Sequence, residues 1–235
     1  MTAVEYTEAM SAERLVMEGI AQHCVDSTAH RAALRRNQGV PLDEARDVLW
    51  FRHLMAQLRR DAQNKDIPYV PRDELAFLVG TLMADDRVVL ELLGAGKSLQ
   101  AVPRNLGASL NEIEREQDSE AHNEKMRVQP DPNRRESRFE RRLRMLLDAG
   151  LETDGTGELP FRLRQGVRLV LAQRDGRTHV HWVQLLHDLG RWNWEGRPVQ
   201  RDWARSFYGD PRVTQSKDDS ATEEADDHAS TPAND

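Results

Sequence analysis

Apolar residues recur along this chain at spacings of three and four, which is the period of an amphipathic helix. The stretch "DVLWFRHLMAQLRR" sets Phe51, Leu54, Met55 and Leu58 on one stripe. "DELAFLVGTLMADDRVVLELL" aligns Leu75, Leu78, Val79 and Leu82, then Val89, Leu92 and Leu93. "SRFERRLRMLLDAG" aligns Phe139, Leu143, Leu146 and Leu147, and Gly150 ends it. "LPFRLRQGVRLVLAQ" opens with Pro160, which suits a first helical turn, and buries Leu163, Val167, Val170 and Leu171. "HWVQLLHDLGRW" aligns Trp182, Leu185, Leu186 and Leu189. "PVQRDWARSFYG" opens with Pro198, aligns Val199, Trp203 and Phe207, and stops at Gly209. No convincing alternating strand and no internal repeat is present. The pattern predicts an all-α fold of two packed helical bundles with no β-sheet.

The periodic signal lapses in "NEIEREQDSEAHNEKMRVQPDPNRRE", where Pro130 and Pro132 end any helix. The predicted organisation is a helical domain over 1–118, a connector over 119–133 and a helical bundle over 134–209. Residues 210–235 hold eight acids, two bases and almost no large apolar side chain. Such a segment cannot bury enough surface to offset its ordering entropy, so it is predicted to be a disordered acidic tail.

Composition narrows the class. The chain has 235 residues, of which 31% are charged and 38% hydrophobic, as in helix-rich soluble proteins. No apolar run is long enough to span a bilayer. "MTAVEYTEAM" lacks the basic start and apolar centre of a signal peptide. The single cysteine, Cys24, allows no disulfide within the chain, so a cytoplasmic setting is expected. The net charge of −7 hides an asymmetry: −6 over 1–133, +5 over 134–208 and −6 in the tail. A basic segment between acidic ones points towards nucleic acid.

Candidate chemistry is sparse. "GAGKS" resembles the end of a phosphate-binding loop, yet Glu91 stands where that loop needs its first glycine. The preceding segment is also helical in pattern, not a strand. Helix-ending glycines are the expected role of Gly94 and Gly96, and no nucleotide turnover is expected. His179, His181 and His187 lack the spacing of a four-ligand zinc site, and Cys24 has no partner cysteine. No carboxylate pair suggests acid–base catalysis. The expectation is a protein that is not an enzyme and that carries no metal or cofactor.

Arginines carry the remaining signal. Arg134, Arg138, Arg141 and Arg142 share a helix face away from Phe139, Leu143 and Leu146. Arg164 and Arg168 lie one turn apart, opposite Leu163 and Val167, and Arg35 and Arg36 close the "AHRAALRR" helix. Guanidinium forks along helix faces suit phosphate oxygens, which carry charge but no sequence. Pairing with neighbouring acids and offset of helix dipoles explain the same residues without a ligand. Among the tryptophans, Trp182, Trp192 and Trp203 are expected in the core, leaving Trp194 as a stacking candidate.

These segments, in order, resemble one family. "ERRLRMLLDAG", "ELPFRLRQGVRLV", "HWVQLLHDLGRW" and "VQRDWARSFYG", preceded by "AALRRNQG" and "PRNLGASL", are similar to the small subunit of the type I-E CRISPR Cascade complex, the CasB family. The resemblance spans about residues 28–209. It implies a non-catalytic, two-domain helical protein that acts in antiviral defence. Its implied partners are a second copy of itself, other Cascade subunits including the backbone and large subunits, the guide RNA and target DNA. The displaced single DNA strand is the partner implied for its basic faces. Guide pairing reads sequence in such complexes while protein contacts backbone. Carried over by motif, the binding residues are Arg35, Arg36, Arg141, Arg142, Arg164 and Arg168. Ala108 stands where relatives place a basic residue, with Lys97 or Arg104 as substitutes. A helical protein–protein scaffold and an unrelated nucleic-acid-binding regulator are the alternative readings.

Overall fold

The computed structural model describes residues 11–99, 104–122, 136–173 and 179–209. Among these residues the chain forms ten α-helices and no strand. They are α1 (Ser11–Asp26), α2 (Thr28–Arg36), α3 (Leu49–Asn64), α4 (Asp73–Met83), α5 (Arg87–Gly94), α6 (Leu106–His122), α7 (Arg138–Asp148), α8 (Glu158–Leu171), α9 (Trp182–Gly190) and α10 (Pro198–Tyr208). The all-α expectation therefore holds. The proposed tail, most of the connector and Arg134 lie outside the described residues.

Local chemistry sets the helix ends. Ser27 accepts the His30 N–H and starts α2, and Asp86 accepts the Val89 N–H and starts α5. Ser137 and Glu140 form a reciprocal capping box at the start of α7. After α5 the Gly96 N–H donates to Leu93 O at 2.9 Å and the Lys97 N–H to Leu92 O at 3.0 Å. This pair of bonds is a Schellman closure, with Gly96 at φ +74° in the left-handed position it requires. "GAGKS" is thus a helix terminus, as the pattern predicted.

Packing is organised around two helices. Every residue of α4 from Leu75 to Met83 is buried. An apolar surface on all sides needs neighbours on all sides, and α1, α2, α3, α8 and α9 supply them. The second centre is α6, which packs against α7, α8 and α10. Trp182, Trp192 and Trp203 are all buried, and Trp192 meets Trp203 edge to face at 5.1 Å. Leu92 departs from its expected place. It is 41% exposed, since the apolar face of α5 is covered only along Val89, Leu90 and Leu93.

Buried polar groups tie distant helices together. Asp86 also accepts the Trp182 indole N–H at 2.8 Å. Asp188 accepts the Trp203 indole N–H at 2.7 Å and the Gln184 amide at 2.7 Å. Glu13 of α1, 2% exposed, meets His187 Nδ1 of α9 at 2.8 Å and accepts the Tyr69 hydroxyl. These bonds partner groups that would be costly to bury alone, though Glu13 Oε2 and Gln184 Oε1 stay without one among the described residues, and they fix the seam on which α9 lies.

Candidate nucleic-acid interface

Three of the sequence-predicted arginines converge from opposite ends of the chain. The last turn of α2 carries Arg35, whose Nε lies 2.6 Å from Asp85 Oδ1 just beyond α4. Gln38, two residues past α2, donates to the same Asp85 carboxylate at 2.6 Å and to Thr81 O at 3.0 Å. Its own carbonyl accepts from Arg168 Nη2 of α8 at 3.3 Å. The neighbouring Gly39 has φ +82°, and any Cβ there would collide with the guanidinium of Arg164. Glycine at 39 thus leaves the space that Arg164 occupies. Arg31 joins the group by donating from Nε to Ala84 O at 3.0 Å. The packing of α2 and α8 on α4 brings these side chains together. The C-terminal carbonyls of α4 and the Asp85 carboxylate form a negative spot that attracts guanidinium groups.

The predicted residues of α7 form a separate group. Arg138, Arg141 and Arg142 all point to solvent, as their spacing implied. The Arg138 guanidinium lies 4.8 Å from the Phe139 ring centroid and donates to Gln117 Oε1. Glu136 takes two bonds from Arg144, both 2.8 Å, and leaves Arg141 at 3.7 Å. Arg142 makes no ion pair with a described residue. It borders a crevice with Arg162 and Gln165 at the α7–α8 junction.

The other candidates are scattered. Arg36 turns to Asp47 at 3.2 Å, away from Arg35. Arg104 is held by Glu112 at 2.5 Å. Ala108 sits in the first turn of α6, its N–H donating to Asn105 Oδ1 at 3.0 Å. Lys97 is exposed on the rim of a cleft of about 760 Å³ between α5 and the start of α9. His181 lines that cleft, and burial above all, then the charge of Arg104, lowers its pKa to about 4. It is neutral at physiological pH and makes no side-chain cap for α9.

Other chemistry finds little support. Burial raises the Cys24 thiol to about 11, which makes it a poor nucleophile. Among the described residues no three metal-ligating side chains converge, and no helix is long and apolar enough to cross a membrane.

One feature near the arginines escaped the sequence reading. Phe161 of α8 is 51% exposed, and the Arg162 guanidinium lies 5.6 Å from its ring centroid. The signal was present, because Phe161 falls two residues before Leu163 and hence off the apolar stripe. Trp194, the expected stacking candidate, is also exposed at 56%, with Arg191 at 5.8 Å from its ring.

The family profile described as CRISPR-associated protein Cse2 matches residues 30–208. The chain belongs to the Cse2 family. No curated protein matches the chain. Among solved structures, CasB from M. ruber is 28% identical, with a TM-score of 0.53 over 77% of this chain and 85% of that one. A CRISPR-associated protein of the Cse2 family from Thermus thermophilus is 25% identical, with a TM-score of 0.52 over 83% of this chain and 96% of its own. The family match confirms the resemblance carried by the ordered helical motifs, that of the CasB (Cse2) small subunit of type I-E Cascade.

Proposed function

We propose that this Cse2-family protein is a non-catalytic subunit of an RNA-guided CRISPR surveillance complex. In that role it holds nucleic-acid backbone, above all the displaced DNA strand, and steadies the guide–target duplex. The observation that carries this reading is the convergence of Arg35, Arg164 and Arg168, with Arg31, at the α2–α8 junction. Guanidinium groups already aligned by neighbours lose little freedom when they meet phosphate. No base-reading recognition helix stands out in the sequence, which suits a complex whose guide supplies specificity. The exposed α7 group offers a second stretch of the same track. A second copy of this chain and the larger subunits are the protein partners of this proposal.

Arg36 and Arg104 are left out of the interface, because Arg36 turns away from the cluster to Asp47 and Arg104 turns to Glu112. At those two positions the scaffold reading, with arginines that only pair internally, is the better account.

The test is single-stranded DNA binding across a salt series, first with the purified chain and then in the assembled complex. Arg164→Ala with Arg168→Ala should weaken binding and flatten the salt dependence. In the complex the same pair should shorten the life of the opened target while guide-RNA loading survives. Full affinity and an unchanged salt slope in a folded double variant would reject this interface.

A further inference from the structure

Beside the arginine cluster a cavity of about 250 Å³ opens between the loop after α2, α4, the 154–157 turn and α8. Phe161, Phe77, Leu78 and Pro160 give it apolar walls, and Arg164 stands at its edge. Two acids, Glu74 and Asp154, also line it. The hydroxyl and then the backbone N–H of Thr156 hold the Asp154 carboxylate below its usual range, so it stays anionic.

This layout separates charge from surface. Arg162, Arg164 and Arg168 lie on α8 with Phe161, Arg162 being paired with Glu158 at 2.6 Å, while Glu74 and Asp154 line the cavity. A phosphate is drawn to the arginines and repelled by Glu74 and Asp154. A flat uncharged group is suited to the cavity mouth, where half of an aromatic ring is bare. Phe161 is half exposed at this mouth, with the Arg162 guanidinium 5.6 Å from its ring centroid. Stacking a nucleobase against it removes apolar surface from water, and the adjacent arginines hold the flanking phosphates.

We infer that Phe161 is a stacking platform for one unpaired base of single-stranded DNA, seated at the mouth of this cavity with its flanking phosphates on Arg164 and Arg168. The inference rests on the proposed strand-holding function and adds a base contact to it. The contact is indifferent to sequence, because every base has a π-face.

The test compares the full chain with Phe161→Ala and Phe161→Leu on two oligonucleotides of equal length. One carries bases throughout and the other carries abasic sites. Phe161→Ala is expected to weaken binding of the base-bearing strand about tenfold, with the salt slope unchanged, since no phosphate contact is lost. Phe161→Leu keeps apolar area but no ring, and should show most of that loss. Neither variant should alter binding of the abasic strand. Circular dichroism should be unchanged, as the ring is half exposed. Equal loss on both strands, or no loss on either, overturns the stacking platform. If Arg164→Ala with Arg168→Ala flattens the salt slope while Phe161→Ala changes nothing, only the platform fails. A wild-type chain that binds neither strand overturns the strand-holding function as well.

Discussion

The two arginine groups differ in how they are held. At the α2–α8 junction, guanidinium groups from two helices surround one amide, Gln38, and one carboxylate, Asp85. On α7, Arg138, Arg141 and Arg142 project from a single helix, and the nearest acid, Glu136, is mostly taken up by Arg144. The first group is aligned but partly neutralised. The second is charged and more loosely held, since Arg141 lies 3.7 Å from Glu136 and Arg142 makes no ion pair with a described residue. Aligned cations lose less entropy on meeting a phosphate, whereas free ones give up less existing partnership. Binding and stability measurements on the two groups should therefore diverge.

The largest effect is expected in binding. Each lost phosphate contact on a single strand removes about 0.7 from the salt slope. Arg164→Ala with Arg168→Ala should then remove about 1.4, and Arg141→Ala with Arg142→Ala about the same. If one strand crosses both groups, the quadruple variant loses about 2.8. A quadruple variant no weaker than either pair would confine the strand to one group.

Stability should separate the groups next. Arg35→Ala deprives Asp85 of its ion-pair partner, and the Asp85 side chain is only 26% exposed. The expected cost is about 1 kcal/mol, at the upper end for an exposed or half-buried pair. Arg141, at 66% exposure and 3.7 Å from Glu136, should cost less than about 0.5 kcal/mol. Urea midpoints at constant slope would measure both. Equal costs would erase the distinction between a held and a free group.

A smaller effect should follow from removing the acids instead. Asp85→Asn keeps an acceptor for Gln38 but releases the charge of Arg35. Affinity for single-stranded DNA should rise by a few-fold at low salt, with the slope steeper by about 0.7. Glu136→Gln should do less for Arg141, which that acid barely holds. A gain at Glu136 and none at Asp85 would reverse the assignment of which group meets the strand.

The helices were legible in the sequence because burial follows the helical period. Phe51, Leu54, Met55 and Leu58 are all buried, as are Trp182, Leu185, Leu186 and Leu189. The face shared by Arg138, Arg141 and Arg142 was legible for the same reason. Convergence was not. Nothing in the spacing of Arg35 and Arg168 says that Gln38 lies between them, because that depends on how α2 and α8 pack on α4. Nor does spacing reveal pairing, so Arg36 and Arg104 looked as available as Arg164. Leu92 was misjudged because a stripe defines an apolar face but not how much of it a neighbour covers.

Arg104 gives the smallest effect and a third case, a cation held by its own acid yet felt by a buried group. His181 titrates near 4 in the folded chain, against about 6.5 when unfolded. The folded state therefore binds fewer protons between these values. Its contribution to stability is complete above pH 6.5 and is lost as pH falls towards 4. Burial is the main cause, followed by the charges of Arg104 and His179, while Glu112 acts in the opposite direction. Arg104→Ala removes one cation and leaves the opposing charge of Glu112 in place. His181 should then titrate above 4 but still below 6.5, because burial remains. The loss of stability between pH 7 and pH 5 should shrink by a small, measurable amount. His181→Gln should remove this residue's share of that loss altogether. Proton NMR of the imidazole would follow the titration, with urea midpoints at the two pH values beside it. An unchanged His181 titration in Arg104→Ala would mean that the guanidinium's charge does not reach the imidazole, and that burial with the remaining neighbours holds its pKa down.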